Sequence, residues 1–142
     1  MPHPPLIFFD TNILIYAHDR RDPRKRQRAQ RLIREVVATG QGAISTQVVR
    51  EFCNVALKPA VSLVSRELQM VLQGELQPLL RHRPDVDFYQ RTVGLWERES
   101  IGFYDALIVQ AALDLGCKTL YSEDLQDGRE YGGLTVKNPF LS

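Results

Sequence analysis

The chain has 142 residues, of which 44% are hydrophobic and 25% are charged, and its formal net charge is +1. These values match those of ordinary soluble globular proteins, so they argue against a disordered chain and against a membrane span. The length suits a single domain over residues 1–142. The N-terminal sequence lacks the basic start and long apolar stretch of a signal peptide, so we expect a cytoplasmic protein.

Positive charge is concentrated in one part of the chain. Between residues 20 and 34, eight Lys and Arg residues are opposed by Asp22 alone, so this block carries +7 and the rest of the chain carries −6. A basic block of this kind can bind phosphate groups, but a solvated helix face has the same composition. Charge pattern alone leaves these two interpretations open.

Short apolar segments alternate with amphipathic segments along the chain. Strands are predicted at residues 6–9, 43–45, 76–80, 117–121 and 134–136, although Pro78 confines the third to a sheet edge or weakens it. Helices are predicted over about 23–39, 46–58, 62–73, 85–99 and 103–113, with Phe88, Val93 and Trp96 inward in the fourth. This alternation predicts an α/β fold with a parallel sheet of about four to five short strands flanked by helices on both faces.

Four carboxylates stand at related places in this pattern. Asp10 and Asp124 follow predicted strands, Asp105 lies in the first turn of the apolar fifth helix, and Glu51 borders the apolar stripe of the second. Strand ends and the starts of the following helices share one edge of a parallel sheet, so these acids can converge. An oxygen-only cluster suits Mg²⁺ or Mn²⁺.

Some of these acidic residues, taken singly, also have a structural explanation. Asp10 is a good helix N-cap, and a Glu at the position of Glu51 can extend its carboxylate to water. Asp127 precedes Gly128, and Asp-Gly is a strong turn signal, so we favour a turn there over a ligand.

Four segments together resemble PIN domains, and most of all the VapC-type toxins of bacterial toxin–antitoxin pairs: FFDTNILIY, VVREF, FYDALIVQAAL and LYSEDLQDG. The resemblance implies a parallel sheet flanked by helices and cleavage of RNA with Mg²⁺ or Mn²⁺ held by acids. Matched residue by residue, it implies Asp10, Glu51, Asp105 and Asp124 as catalytic and metal-binding acids. Thr11, Asn12 and Ser122 match positions that support such a cluster.

The resemblance also implies partners, and the sequence departs from the family pattern at two positions. An RNA substrate, a cognate antitoxin protein and a homodimer are expected. Arg24, Arg28 and Arg31 share one face of the predicted helix at i, i+4 and i+7 spacing, and are our candidates for RNA contacts.

Gly102 stands where related sequences often carry a Ser, so a hydrogen bond to the third acid is expected to be missing. Asp127 stands where relatives vary, and is a further ligand, a turn residue or a partner of the basic block.

We therefore predict a metal-dependent endoribonuclease that hydrolyses phosphodiester bonds with an activated water. A phosphoaspartyl phosphatase would need a second Asp where the chain has Asn12. A receiver domain would need a Lys after a late strand, whereas Lys118 begins one. A PIN-fold module that acts only through a protein partner is the remaining alternative, and the intact acids argue against it.

Overall fold

The computed structural model describes residues 4–141 and contains a six-stranded sheet. The strands are β1 (Ile7–Phe9), β2 (Gly42–Ser45), β3 (Leu80–His82), β4 (Thr119–Tyr121), β5 (Glu130–Tyr131) and β6 (Leu134–Lys137). Their order is β3-β2-β1-β4-β6-β5, and every neighbouring pair is parallel except β5 with β6. The predicted α/β fold with a parallel sheet is confirmed, with six strands rather than about four to five.

In the described part of the chain, six α-helices flank the sheet. They are α1 (Thr11–Tyr16), α2 (Pro23–Ala38), α3 (Thr46–Ala56), α4 (Ser65–Val71), α5 (Val86–Arg98) and α6 (Phe103–Asp114). A π-helical turn (Leu72–Leu76) and a 3-10 turn (Gln77–Leu79) connect α4 to β3. Across residues 4–141, none of the helices is both long enough and apolar enough to span a bilayer.

Local sequence signals explain where the helices begin. The Asp22 carboxylate accepts the Lys25 N–H at 3.1 Å, and Pro23 occupies the first helical position of α2. In the same way, Asp85 accepts the Phe88 N–H at 2.8 Å at the start of α5. Both helices therefore start where an N-cap carboxylate satisfies a backbone donor that has no partner within the helix.

The core lies around β1 and α6. Phe8 and Phe9 of β1 are fully buried at the centre of the sheet, and α6 is buried continuously from Ala106 to Ala112. The predicted central position of this apolar helix is therefore confirmed. Its start remains at the surface, since Tyr104 is exposed.

Two predicted elements were wrong in detail. The strand predicted at 76–80 is the end of a helical segment, because Pro78 fits the first turn of the 3-10 helix, and the edge strand starts only at Leu80. The helix predicted over 62–73 begins at Ser65. Ser62 has a φ of 55°, a left-handed conformation that no α-helix contains.

The prediction of Val93 and Trp96 as core residues was also wrong. Their exposed fractions are 48% and 46%, while Phe88, Thr92 and Leu95 form the buried face of α5. The helix carries a second apolar stripe, and the one containing Val93 and Trp96 faces outward. Apolar spacing alone predicts a stripe without saying which of two stripes packs on the core.

Strand β5 was not predicted. Its two residues pair antiparallel with β6 across the tight turn at Gly132 and Gly133, and Gly132 has a φ of 57°. Glycine adopts that conformation without steric cost, which allows so short a hairpin to close.

Candidate active site

The carboxyl ends of β1 and β4 lie side by side in the middle of the sheet. The chain after β1 leads to β2 on one side of this point, and the chain after β4 leads to β5 and β6 on the other side. In open α/β sheets, ligands bind in the crevice at such a switch point. Asp10 follows β1 directly, Ser122 and Asp124 follow β4, and the Asp10 N–H donates to the Tyr121 carbonyl at 2.9 Å. The fold therefore brings the two predicted acids of the strand ends together.

Hydrogen bonds connect these two strand ends through side chains. The Ser122 hydroxyl donates to Oδ2 of Asp10 at 2.7 Å. Nδ2 of Asn12 donates to Oδ2 of Asp124 at 3.1 Å and lies 3.5 Å from Oδ2 of Asp10. Oδ1 of Asn12 accepts the Glu123 N–H at 3.1 Å. The amide of Asn12 thus bridges the loop after β1 and the loop after β4.

Glu51 reaches the same place from α3. The Thr11 hydroxyl donates to its Oε2 at 2.7 Å, and Nε2 of Gln47 donates to its Oε1 at 2.7 Å. Gln47 lies one helical turn before Glu51, which is the i, i+4 spacing at which helical side chains meet. The Gln47 amide also donates to the Tyr104 carbonyl at 3.3 Å and so ties α3 to the start of α6. Glu51 is therefore held by both of its oxygens, and sequence reasoning did not anticipate Gln47.

Asp105 completes the set from the first turn of α6. Burial raises its pKa, and the charges of Asp124 and Glu51 raise it further, so both of these carboxylates are close enough to act on Asp105. The N-cap of α6 is Gly102, which makes no side-chain capping hydrogen bond. Whether a Ser at position 102 would support Asp105 stays a prediction from the sequence.

Asp10 is both a helix cap and a member of this group. Its Oδ1 accepts the Thr11 N–H at 2.8 Å at the start of α1, so the capping interpretation is correct. Only 5% of the residue is exposed, and burial is the main cause that raises its pKa to about 6. The charges of Asp124 and Glu51 act in the same direction, whereas the hydrogen bonds from Ser122 and Thr11 oppose the rise. We call Asp10, Glu51, Asp105 and Asp124 the acidic cluster.

The donor chemistry of the acidic cluster fits a hard divalent cation. Its groups are all carboxylates, and burial together with mutual repulsion raises the pKa of two of them. Within residues 4–141, no three His, Cys, Asp or Glu side chains are grouped tightly enough to hold one ion together. Mg²⁺ is commonly bound through only one or two carboxylates and keeps several waters, so the arrangement still fits it.

A cleft of about 450 Å³ opens beside the acidic cluster. Glu51 and Asp124 line it together with residues that sequence reasoning missed: Tyr16, Asp19, Arg21, Asn54 and Glu123. Of these, Glu123 could have been found, because it stands between Ser122 and Asp124 in the same motif. We call this space the acidic cleft.

The remaining predicted residues lie elsewhere. Asp127 precedes Gly128, whose φ is 83°, and its carboxylate accepts the Asn138 N–H at 2.7 Å, which favours the turn interpretation. Arg24, Arg28 and Arg31 line a separate groove of about 410 Å³ with Pro139, Phe140 and Leu141. We call this the basic groove. Arg28 donates from Nε to the Pro139 carbonyl at 3.1 Å.

Comparisons with known proteins bear on the fold and on the family of the chain. The crystal structure of Mycobacterium tuberculosis VapC20, described as a Sarcin-Ricin loop cleaving toxin, is similar over 83% of this chain and 89% of that chain, with 18% sequence identity and a TM-score of 0.61. At this identity the likeness concerns the fold. No curated protein matches the sequence. The PIN domain model matches residues 7–127, which is most of the chain, and the protein therefore belongs to the PIN domain family.

Proposed function

We propose that the protein is a Mg²⁺- or Mn²⁺-dependent endoribonuclease and the toxin of a toxin–antitoxin pair. The observation that carries the proposal is the network that joins Asp10, Asp124 and Glu51 through Ser122, Asn12 and Thr11 at the switch point of the sheet. Membership of the PIN family and the structural likeness to a toxin that cleaves the Sarcin-Ricin loop support it.

In this proposal Asp10, Glu51, Asp105 and Asp124 together would hold one or two divalent ions, some of them through waters that the ion keeps. When bound, the ion supplies a water of lowered pKa and neutralises charge on the phosphate. Ser122, Asn12 and Thr11 each donate to a carboxylate of the cluster, and so fix the directions in which the remaining lone pairs point. This second layer of hydrogen bonds is the usual way in which a protein orients anionic ligands.

The positions of the histidines support attack by water rather than by a side-chain relay. His18 lies 3.2 Å from Glu75, and His82 lies 3.2 Å from Asp114. Of the residues that the structure describes, no histidine lines the acidic cleft. The acidic cluster is therefore the chemical centre on which the proposed hydrolysis depends.

The basic groove is our candidate for contacts with RNA away from the cleaved bond. Arg24, Arg28 and Arg31 lie on one side of α2 and face the C-terminal segment at Pro139 and Phe140. Such a surface provides sequence-independent attraction to phosphates. An antitoxin partner and a homodimer remain parts of the proposal that rest on the family resemblance, and the cytoplasmic location expected from the sequence remains a proposal as well.

The proposal is tested by cleavage of a structured RNA. Wild-type protein should cleave it with Mg²⁺ or Mn²⁺ and stop when the ion is chelated. Asp10→Asn should lose this activity, because it keeps the shape and one cap-competent oxygen but not the charge. Circular dichroism and a cooperative melt should show that the variant is folded.

The competing function is a PIN-fold module that acts only by binding a protein partner. It predicts no metal-dependent cleavage by highly purified wild type, or residual cleavage that Asp10→Asn leaves unchanged. Either result rejects the nuclease proposal and gives Asp10 a capping role alone.

A further inference from the structure

Arg21 lies at the edge of the acidic cleft and is held by a buried carboxylate. Only 3% of Asp19 is exposed, and its Oδ1 accepts from the backbone N–H of Arg21 at 2.9 Å and from Nε at 3.0 Å. Its Oδ2 accepts from Nη2 at 2.8 Å. This two-pronged pairing fixes the plane of the guanidinium group, which is the geometry that makes arginine specific for planar anions.

The guanidinium still offers donors to the solvent side. It carries five N–H bonds, and Asp19 engages two of them. The Arg21 side chain is 66% exposed, while its partner is almost completely covered. The buried carboxylate therefore orients the cation, which lines the acidic cleft and has three N–H bonds that Asp19 does not engage.

Arg21 is also electrostatically exceptional at this place. The described residues that line the acidic cleft include four acids, Asp19, Glu51, Glu123 and Asp124, and Arg21 as the single base. The nearby Lys25 donates to the Glu123 carboxylate and, at 3.3 Å, to the Tyr16 hydroxyl. Its ammonium is thus already engaged by groups of the protein.

A polyanion that enters an acidic cleft meets repulsion beyond the reach of a bound cation. Like charges a few ångströms apart near a protein surface repel each other, so a positive group beside a flanking phosphate favours its binding. Arg21 supplies an oriented cation that lines the same cleft. A guanidinium can form two parallel hydrogen bonds to phosphate oxygens.

We propose that Arg21, positioned by Asp19, binds a non-scissile phosphate adjacent to the phosphodiester bond that is cleaved. The inference rests on the proposed ribonuclease function and deepens it by assigning a subsite for the flanking nucleotide. Arg21 is a substrate-binding residue in this account, and Asp19 is the residue that positions it. Arg21 aligns the RNA strand across the acidic cluster and contributes to KM more than to kcat.

The test uses short RNAs in which one phosphate at a time is replaced by an uncharged methylphosphonate. The cleavage site is first mapped on the unmodified RNA with wild-type protein, and only non-scissile positions are then replaced. For wild type, we expect one position within two nucleotides of the cleaved bond to lower kcat/KM by about tenfold, as for loss of a charge-assisted hydrogen bond. Arg21→Gln should lower kcat/KM on unmodified RNA by a similar factor, mainly through KM.

The decisive result is the combination of the two changes. In Arg21→Gln, replacement of that one phosphate should cause no further loss, because the contact is already absent. Arg21→Lys should recover part of the affinity, since it restores the charge without the paired N–H donors of the planar guanidinium. Independent, multiplicative effects of Arg21→Gln and of the methylphosphonate at every position would overturn the inference.

Two further variants separate the subsite from general charge and from structure. Arg20→Gln removes the same charge one residue away, from a side chain that does not line the acidic cleft, and should keep the wild-type pattern of methylphosphonate effects. Asp19→Asn keeps the cation but loosens its orientation. It should weaken the contact at the same phosphate and at no other.

Failure of the proposed function is distinguishable from failure of this inference. If wild-type protein does not cleave, the same RNA series is measured by binding, with Kd in place of kcat/KM. Loss of affinity at one phosphate that disappears in Arg21→Gln would then support the Arg21 contact and reject only the nuclease. Equal Kd values for wild type and Arg21→Gln across the series would overturn the contact.

Discussion

The Ser122 hydroxyl lies 2.7 Å from Oδ2 of Asp10 and joins two residues that are 112 positions apart in the chain. Oγ of Ser122 also accepts the backbone N–H groups of Asp124 and Leu125, each at 3.2 Å. One buried side chain therefore holds the end of β1 against the loop that follows β4. The geometry of the acidic cluster depends on this connection.

Replacing Ser122 with Ala should destabilise the protein by about 1–3 kcal/mol, because a buried carboxylate oxygen and two N–H groups lose their partner at once. It should also raise the pKa of Asp10 further, since the hydrogen bond from Ser122 lowers it. Urea unfolding measures the loss. Ser100→Ala, which removes an exposed hydroxyl, is the matched control and should stay within about 0.5 kcal/mol of wild type. Equal stability of the two variants would contradict this account.

The buried carboxyl of Asp10 predicts an unusual dependence of stability on pH. Its pKa is raised from 3.8 to about 6, so the folded protein binds a proton that the unfolded chain has already released in this interval. The free energy of unfolding should therefore fall as pH rises from about 4 to 6, by an amount on the order of 3 kcal/mol for this group alone.

Asp10→Asn removes that titration. At pH 7 without divalent ions, the variant should be more stable than wild type, and the difference should shrink towards pH 4. Chemical unfolding of both proteins at several pH values measures it. A difference in the free energy of unfolding that stays constant across this range would mean that Asp10 titrates normally and that burial does not raise its pKa.

Divalent ions should raise the melting temperature of the wild type, because they bind the folded acidic cluster and relieve its repulsion. Burial and the charges of Asp124 and Glu51 raise the pKa of Asp105, so its ionised form costs stability at neutral pH. Asp105→Asn should therefore melt at a higher temperature without added ions and respond less to Mg²⁺ or Mn²⁺. Differential scanning fluorimetry at increasing ion concentration measures both effects.

Asp127→Asn is the control for this experiment. Its carboxylate accepts the Asn138 N–H in a turn, so the variant should keep the full response to ions. A response reduced as much as in Asp105→Asn would instead identify Asp127 as a ligand, which is the interpretation that its sequence left open.

A substitution at the start of α6 should increase the stability of the protein. Gly102 has a φ of −65°, which other residues adopt freely, and a Cβ there would lie 3.9 Å from Oδ2 of Asp105. Gly102→Ser should stabilise the protein by a few tenths of a kcal/mol, because serine is a better N-cap than glycine. Gly102→Ala adds the carbon without the hydroxyl and should not stabilise. Thermal melts of the three proteins decide whether the hydroxyl is responsible.

The places of the acids in the chain's strands and helices were predictable because two local patterns are strong there, a short apolar strand and a helix that is apolar on all sides. Asp10 and Asp124 each follow a buried apolar strand, and Asp105 opens a helix that is apolar all round. In a parallel sheet these places share an edge whatever the exact register. The predicted places of the acids therefore do not depend on the elements whose bounds were wrong.

Contacts that depend on the exact packing of one element on another were not predictable. The bonds from Gln47 to both Glu51 and Tyr104 require a particular placement of α3 against α6. The choice between the two apolar stripes of α5, which left Val93 and Trp96 outward, depends on packing in the same way. Strand β5 has two residues, too few for an alternating pattern.

The basic groove provides the last prediction. Each phosphate contact to single-stranded RNA contributes about −0.7 to the slope of log affinity against log salt, so replacing Arg24, Arg28 and Arg31 with Gln should flatten the slope by up to about 2. Cleavage at saturating RNA should change little, since the groove is separate from the acidic cleft. Replacing Lys58, Arg66 and Arg83 removes the same charge from other exposed positions and should leave the slope closer to that of wild type. An unchanged slope together with weaker binding of an acidic antitoxin would assign this groove to the protein partner instead of the RNA.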